Sequence, residues 1–293
     1  MLLFTEPHTP LGDEEFLQLR DLIYSHCGLY FDNENRYLLE KRLAGRLQAL
    51  NLSTFRDYFY YLRYDRGRDQ EMSNIMDLLT TNETYFYREA FQLKAFTDEI
   101  VPELVAAKAR KGDRTLRIWS AGCSSGEEPY TIAMLLLELP AVKGWRVEVV
   151  GTDISQRVLQ LARTGLYRES SFRATDERII GRFFSRREEG YQISDEVRER
   201  VSFSQLNLFD QTRLALLGKM DVIFCRNVII YFDLAAKKRV IESFSRMLVP
   251  GGFLLLGHSE SLMNITTQFT LRHFVNDMVY QRPLEERGGH SCS

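Results

Sequence analysis

The feature that most constrains this chain is a strand, a glycine loop and a helix in direct succession over residues 116–139. A short apolar run with the length of a buried strand opens the segment at 116–119. In the loop of small residues that follows, Gly122 and Gly126 allow backbone angles and close ligand approach that other residues resist. Pro129 suits the first turn of the next helix, where the two preceding glutamates suit the helix dipole. This order is typical of a nucleotide-type ligand site at the head of an α/β sheet.

The loop matches neither common phosphate-binding motif. It lacks the Lys-Ser/Thr ending of a P-loop, and its two glycines do not fit G-x-G-x-x-G. A tight turn without any ligand is the alternative interpretation. The next apolar run ends in Asp153, and an acid at the tip of the second strand of a doubly wound fold binds ribose hydroxyls. Asp153 could instead cap the helix that starts near Ser155. Together, the loop and the acid favour an adenosyl ligand that needs no phosphate-binding motif, and S-adenosylmethionine fits that description.

The composition limits the classes of protein to which the chain can belong. Its 293 residues suffice for one large domain, or for a medium domain and a small one. A net charge of -2 implies no general attraction to nucleic acid or to anionic membranes. No apolar run approaches the roughly 18 residues of a membrane span. The four cysteines are scattered, which is typical of proteins in a reducing cytoplasm, and we expect this protein to be cytoplasmic. The five histidines do not have the spacing of a metal-ligand cluster.

Hydrophobic periodicity divides the chain into parts. Residues 1–80 are predicted to form a small domain of four helices, of which the last is a short one near 75–79. A linker and a helix are predicted over 81–100. An α/β domain is predicted over 101–285, with a β-subdomain inserted at about 166–200. The predicted loose tail is 286–293.

The helical domain is rich in basic side chains, among them Arg42 and Arg46. A solvated helix surface is the ordinary explanation for such residues, and a patch for an acidic partner is the functional one. Further along the chain, Arg226 and Asn227 follow an apolar strand, at the edge where α/β sheets bind ligands. A helix is predicted next at 234–248, followed by a strand at 253–257. A terminal antiparallel pair of strands is predicted at 269–271 and 278–280.

Five segments, in their order and spacing, resemble the CheR-type chemotaxis receptor methyltransferases: TTNETYFYRE, SAGCSSGEEPYT, GTDIS, FCRNVIIYFD and PGGFLLLGHSESL. The resemblance covers nearly the whole chain. It implies an α/β fold of the class I S-adenosylmethionine-dependent methyltransferases, doubly wound and mostly parallel, with a helical N-terminal domain and an inserted β-subdomain. It also implies methylation of glutamate side chains on the cytoplasmic helices of chemoreceptors (methyl-accepting chemotaxis proteins), with S-adenosyl-L-homocysteine as the second product.

The same resemblance implies roles at the matching positions. Arg88 and Tyr231 would lie nearest the transferred methyl group. We expect Gly122 to contact the cofactor through the glycine loop itself. The further cofactor contacts that the resemblance implies are Asn82, Thr84, Arg88, Glu128, Asp153, Asn207, Leu208, Arg226 and Asn227. The family often has two phenylalanines before the arginine, where this chain has Phe86-Tyr87, a conservative difference.

The chemistry of a glutamate substrate explains what such a site must supply. A carboxylate with a pKa of roughly 4.3 is ionised at neutral pH and needs no general base. The enzyme must instead place carboxylate, methyl group and sulfur in line. Because Glu128 and Asp153 make the pocket acidic, a fixed cation is needed to hold an anionic substrate, and the planar fork of Arg88 suits a carboxylate. Tyr231 could orient the carboxylate or the methionine end of the cofactor, or could be only a packed aromatic. Arg42 and Arg46 would complement glutamate-rich receptor helices.

Two other functions are weighed against this one. A nucleic-acid amino methyltransferase usually carries an Asn/Asp-Pro-Pro-aromatic motif after the fourth strand, where this chain reads RNVI at 226–229. A non-catalytic module that binds S-adenosylmethionine is the other alternative, and the intact loop, Asp153 and Arg88 argue against it.

In the insertion, the stretch 185–190 is charged and has one glycine, and charges beside an edge strand deter pairing. We therefore expect no tether to a receptor C-terminal pentapeptide.

Overall fold

A computed structural model describes residues 10–284, in which a helical domain precedes an α/β domain. The helical domain consists of α1 (Asp13–Cys27), α2 (Arg36–Ala49), α3 (Phe55–Tyr64) and α4 (Arg68–Leu79). Apolar stripes of these helices meet in a separate core, in which Leu19, Leu43 and Tyr58 are fully buried. The predicted loose tail, 286–293, lies outside the described residues.

The fourth helix is longer than the sequence pattern predicts. The expected helix near 75–79 is the end of α4, which begins at Arg68. The extension follows from Met72, which lies on the same helical face as Ile75 and Leu79 and is buried with them.

An interrupted helix joins the two domains. α5 (Ala90–Ala95) continues through a π-helical turn (Phe96–Ile100) into α6 (Val101–Ala109). The π-helical turn lies next to Pro102, which has no N–H to donate within the helix. A helix with one local irregularity thus follows the segment that joins the domains.

The α/β domain alternates strands and helices. Its strands are β1 (Thr115–Ala121), β2 (Arg146–Asp153), β3 (Leu166–Tyr167), β4 (Phe184–Arg187), β5 (Gly190–Ile193), β6 (Val201–Gln205), β7 (Met220–Cys225), β8 (Leu248–Leu256), β9 (Thr270–His273) and β10 (Met278–Gln281). Its helices are α7 (Glu127–Glu138), α8 (Gln156–Thr164), α9 (Glu177–Phe183), α10 (Asp195–Arg198), α11 (Gln211–Leu216) and α12 (Leu234–Met247).

Seven of these strands form one twisted layer in the order β6-β2-β1-β7-β8-β10-β9. The first five pair in parallel, and β10 pairs antiparallel with both β8 and β9. Side chains alternate between the two faces of a strand, so Ile118 packs in the core on the α7 side and Trp119 packs in the core on the α12 side. The predicted mostly parallel, doubly wound sheet with a terminal antiparallel pair is confirmed.

A second, antiparallel sheet in the order β3-β5-β4 occupies part of the predicted insertion. Phe172 and Phe184 anchor this subdomain in the same core as β1 and α7. In the large sheet, β1 lies between β2 and β7, so the strand order reverses there. Open α/β sheets bind ligands in the crevice at the carboxyl ends of the strands at such a point.

Candidate active site

A cavity opens at the carboxyl ends of β1, β2 and β7. Every residue predicted to contact the cofactor or the transferred methyl group lines it: Asn82, Thr84, Arg88, Gly122, Glu128, Asp153, Asn207, Leu208, Arg226, Asn227 and Tyr231. These residues come from segments that are far apart in the sequence, and the fold brings them to one place. Their individual roles stay predictions.

The glycine loop between β1 and α7 is shaped by close packing. Gly122 has a φ of +81°, and a Cβ atom there would lie 2.4 Å from Cγ2 of Val228. A glycine is therefore required for the loop to approach the segment that follows β7. The N–H groups of Gly122 and Cys123 donate to the Thr152 carbonyl oxygen at 2.8 and 2.9 Å, which fastens the loop to the end of β2.

Asp153 holds the same loop from the tip of β2. Its carboxylate accepts the backbone N–H of Ser124 at 2.8 Å and of Ser155 at 2.9 Å. Burial raises the pKa of the Asp153 carboxyl above its ordinary value, and these two backbone donors oppose the rise. Each carboxylate oxygen can accept more than one hydrogen bond. Asp153 can thus fix the turn and still accept ribose hydroxyls, so the two interpretations of this residue are compatible.

An ion-pair cluster lies beside the loop. Arg226, whose side chain is 3% exposed, lies 3.0 Å from Glu89 and 3.2 Å from Glu128, and donates to the Arg88 carbonyl oxygen at 2.5 Å. Burial raises the pKa of the Glu128 carboxyl, and the charge of Arg226 opposes the rise. Two carboxylates share one guanidinium here, so with Asp153 the cavity wall carries an excess of negative charge.

The junction between the domains is held by aromatic packing. Phe86 is fully buried, its ring lies 5.1 Å from those of Phe172 and Phe184, and its N–H donates to the Ser171 carbonyl oxygen at 2.9 Å. Tyr87, the next residue, has a φ of +58°. The inserted subdomain therefore fixes the segment that carries Asn82, Thr84 and Arg88.

Arg88 and Tyr231 both lie at the cavity. The Arg88 guanidinium donates to the Glu83 carbonyl oxygen at 3.2 Å and lies 5.6 Å from the centre of the Tyr85 ring. Among the described residues, no carboxylate forms an ion pair with it. Tyr231 is 39% exposed. One fixed cation and one hydroxyl are therefore available to a ligand that carries a carboxylate.

The helical domain completes the cavity wall through Cys27 and Leu29. The Asn207 side-chain amide donates to the His26 carbonyl oxygen at 2.6 Å and accepts the Phe209 N–H at 2.9 Å. Asn207 therefore joins the domains, and only part of its hydrogen-bonding capacity remains for a cofactor.

Arg42 and Arg46 lie away from this cavity, on a separate surface cleft with Arg157. Arg46 donates to both carboxylate oxygens of Glu71 at 2.8 and 2.6 Å, and Glu71 is 2% exposed. Arg42 donates to the Leu79 carbonyl oxygen at 2.6 Å. The charge of Arg46 is thus already paired within the domain, which the sequence pattern did not indicate. A receptor contact at this patch stays a prediction.

Glu260 and Glu89 contribute to the site but were not predicted to do so. Glu260 accepts backbone hydrogen bonds from the segment after β7, and Glu89 pairs with Arg226. Both residues stand in segments that carry the family resemblance, TTNETYFYRE and PGGFLLLGHSESL, and that position was the available signal.

The structure gives further facts about possible ligands. In residues 10–284, no group of three or more His, Cys, Asp or Glu side chains could hold a metal ion. No helix in that range has the length and apolar character that a bilayer crossing requires. Asn227 Oδ1 is buried and has no hydrogen-bond partner within the described structure, so it can accept a donor from a ligand. The residues at the cavity thus fit S-adenosylmethionine, which presents ribose hydroxyls, an ammonium group and a cationic sulfonium.

Known proteins resemble the chain along most of its length. A family model described as the CheR methyltransferase SAM binding domain matches residues 82–276, and one described as the CheR methyltransferase all-alpha domain matches residues 14–80. Chemotaxis protein methyltransferase 2 of Vibrio cholerae serotype O1 is 40% identical over 275 residues, which cover 93% of this chain and 94% of that protein. The chemotaxis protein methyltransferase of Escherichia coli strain K12 is 34% identical over 276 residues, 93% of each chain.

Proposed function

This chain belongs to the CheR methyltransferase family, and from that premise we propose that it methylates glutamate side chains on the cytoplasmic helices of chemoreceptors. The family makes it an S-adenosylmethionine-dependent methyltransferase of chemotaxis. The proposed product is a glutamyl methyl ester, and the proposed location is the cytoplasm, where those receptor helices lie. The relatives' names, which refer to chemotaxis, support this substrate class.

One observation carries the proposal: Arg88 and Tyr231 lie at the same cavity as the glycine loop, Glu128 and Asp153. A cofactor site alone would need the loop and the acids. An available guanidinium beside them adds what an anionic substrate requires, because the acidic wall would otherwise repel it.

The two arginines of the cavity have different proposed tasks. The Arg226 side chain is 3% exposed and is paired with Glu89 and Glu128, so it offsets the charge of buried carboxylates. Arg88 has no ion-pair partner among the described residues, so its fork remains available to bind the glutamate carboxylate. Arg88 would therefore fix the substrate oxygen, and Tyr231 would orient either that carboxylate or the methionine end of the cofactor.

The reaction needs positioning more than acid–base chemistry. S-Adenosylmethionine supplies an activated methyl group: the glutamate oxygen bonds to the methyl carbon while the carbon–sulfur bond breaks, which releases S-adenosylhomocysteine. No proton moves, because the glutamate is already ionised at neutral pH. The task of this chain is to align the reacting atoms, a proximity effect worth up to about 7–11 kcal/mol in favourable cases.

Receptor docking is proposed at the basic patch around Arg42 and Arg46, where glutamate-rich helices would find complementary charge. Because Arg46 is paired with Glu71, Arg42 would supply more of the attraction. Tethering through a receptor-tail peptide is not part of the proposal, since the exposed edge strand β4 is four residues long and presents Arg186 and Arg187.

The test is incubation of the protein with methyl-labelled S-adenosylmethionine and receptor cytoplasmic domains. Base-labile label on the receptor is expected, because carboxyl methyl esters hydrolyse in base. Receptor variants with glutamine at the methylation glutamates provide the control and should stay unlabelled. Base-stable label, label on added nucleic acid, or cofactor binding without transfer to any receptor would contradict the proposed substrate.

A further inference from the structure

The carboxylate of Glu260 accepts hydrogen bonds from backbone N–H groups of two loops. Oε2 accepts from Gly257 at 2.8 Å and from Asn227 at 2.9 Å. Oε1 accepts from Val228 at 3.0 Å and from Ile230 at 3.2 Å. One side chain in the loop after β8 thereby holds three amides of the loop after β7.

The loop held in this way carries residues proposed to act in the reaction. It begins with Arg226 and Asn227 directly after β7 and ends with Tyr231, and all three line the cavity. Asn227 has a φ of +60°, an uncommon backbone conformation for a residue other than glycine. Such a conformation persists when surrounding contacts stabilise it, and the bond from the Asn227 N–H to Glu260 is a contact of that kind.

We infer that Glu260 is a positioning residue: its carboxylate fixes the loop 226–231 in the shape that aims Asn227 and Tyr231 into the cavity. It acts through the backbone, and none of its contacts needs the substrate. The inference rests on the proposed roles of that loop in cofactor and substrate binding, and it adds a residue that those roles do not include.

The geometry distinguishes a carboxylate from its amide. Each oxygen of Glu260 accepts two backbone N–H groups. In Glu260→Gln, whichever oxygen becomes an amino group faces two donors and can accept neither. The variant keeps the size of the side chain but loses half of the anchoring and all of its charge.

Gly257→Ala provides a second, independent variant. A Cβ atom at Gly257 would lie 3.0 Å from the Asn227 backbone nitrogen and 3.1 Å from Glu260 Oε2. The methyl group would crowd the anchor without changing any charge. Its effects should have the same direction as those of Glu260→Gln.

The experiment measures calorimetric binding of S-adenosylhomocysteine, methyl transfer to receptor domains, and amide hydrogen exchange. For Glu260→Gln we expect Kd to rise by roughly tenfold or more, since a hydrogen bond to a charged group is worth about that factor. We also expect a lower kcat, an almost unchanged receptor KM, and faster exchange confined to the segment 226–231. Glu71→Gln is the matched control, because Glu71 is a buried glutamate with several hydrogen-bond partners and is not among the described residues that line the cavity. It should lower Tm and leave Kd unchanged.

The inference is overturned if folded Glu260→Gln and Gly257→Ala both bind S-adenosylhomocysteine with wild-type affinity and show wild-type exchange in that segment. It is equally overturned if Glu71→Gln raises Kd as much as Glu260→Gln does, since the effect would then be general destabilisation. A wild-type protein that methylates no receptor contradicts the proposed substrate, while the binding and exchange measurements still test Glu260.

Discussion

Replacing Arg88 with alanine should abolish most methyl transfer and leave the fold intact. In the structure the guanidinium makes one exposed hydrogen bond, at 3.2 Å to the Glu83 carbonyl oxygen, a charge-assisted contact worth at most about 1.5–3 kcal/mol to stability. Against the substrate carboxylate the fork would make two charge-assisted bonds, at about 1.5–3 kcal/mol each. Their loss from the transition state corresponds to a decrease of about two to four powers of ten in kcat/KM. Arg88→Lys should also be poor, because an ammonium lacks the planar fork.

The assay is receptor methylation under conditions that give kcat/KM, with thermal unfolding and S-adenosylhomocysteine calorimetry on the same samples. Arg173 offers a matched control. Its guanidinium lies 3.8 Å from the centre of the same Tyr85 ring and 2.7 Å from Glu83, but Arg173 is not among the described residues that line the cavity. Arg173→Ala should keep kcat/KM within about fivefold of wild type, since exposed ion pairs are worth about 0–1 kcal/mol. Near wild-type turnover in Arg88→Ala, or an equal loss in Arg173→Ala, would refute the assignment.

Three further outcomes are expected. Asp153→Ala should weaken S-adenosylhomocysteine binding in calorimetry, and it should also lower Tm because two backbone N–H groups lose their acceptor. Unchanged affinity in a folded variant would exclude a contact between Asp153 and the ribose. Arg42→Gln should raise the receptor KM and weaken its dependence on salt concentration. Arg46→Gln should chiefly lower Tm, because Glu71 loses its ion-pair partner. If the receptor KM of Arg42→Gln equals that of the wild type, the patch is an ordinary solvated surface. Receptor C-terminal pentapeptides should show no saturable binding when they are titrated into the protein. Low-micromolar binding that is lost when residues 185–193 are disrupted would show that the inserted subdomain does tether the receptor tail.

The parts of the site that the sequence predicted are those encoded by short-range patterns. The strand, loop and helix at 116–139 are recognisable because Gly122 is needed where the backbone turns with a positive φ, and because apolar periodicity marks the flanking elements. Asp153 is recognisable because an apolar run with the length of a buried strand ends in this acid. No local pattern defines the positions of Arg88 and Tyr231, and only the family resemblance predicts that they belong to the site.

Long-range pairing was the part that could not be predicted. Arg46 is one of many basic residues on the helical domain, and its sequence neighbours do not show that Glu71, 25 positions later, is buried against it. Glu260 meets the segment after β7 only because β7 and β8 are adjacent in the sheet, a fact of topology. Charge patterns in a sequence indicate how many cations a surface has, but packing decides which of them are already paired.

A glycine at the end of α1 lets the helical domain pack closely against the α/β domain. Gly28 has a φ of +79°, and a Cβ atom there would lie 2.2 Å from Cζ of Phe209. Any other residue would be strained at this φ, and either the Phe209 ring or the end of α1 would have to shift. This fit lets the His26 carbonyl oxygen accept from the Asn207 side chain at 2.6 Å and brings Leu29 into the cavity wall. The Asn207 amide thus takes part in the domain contact and also lines the cavity, so a shift of the helical domain would change the shape of the cavity wall.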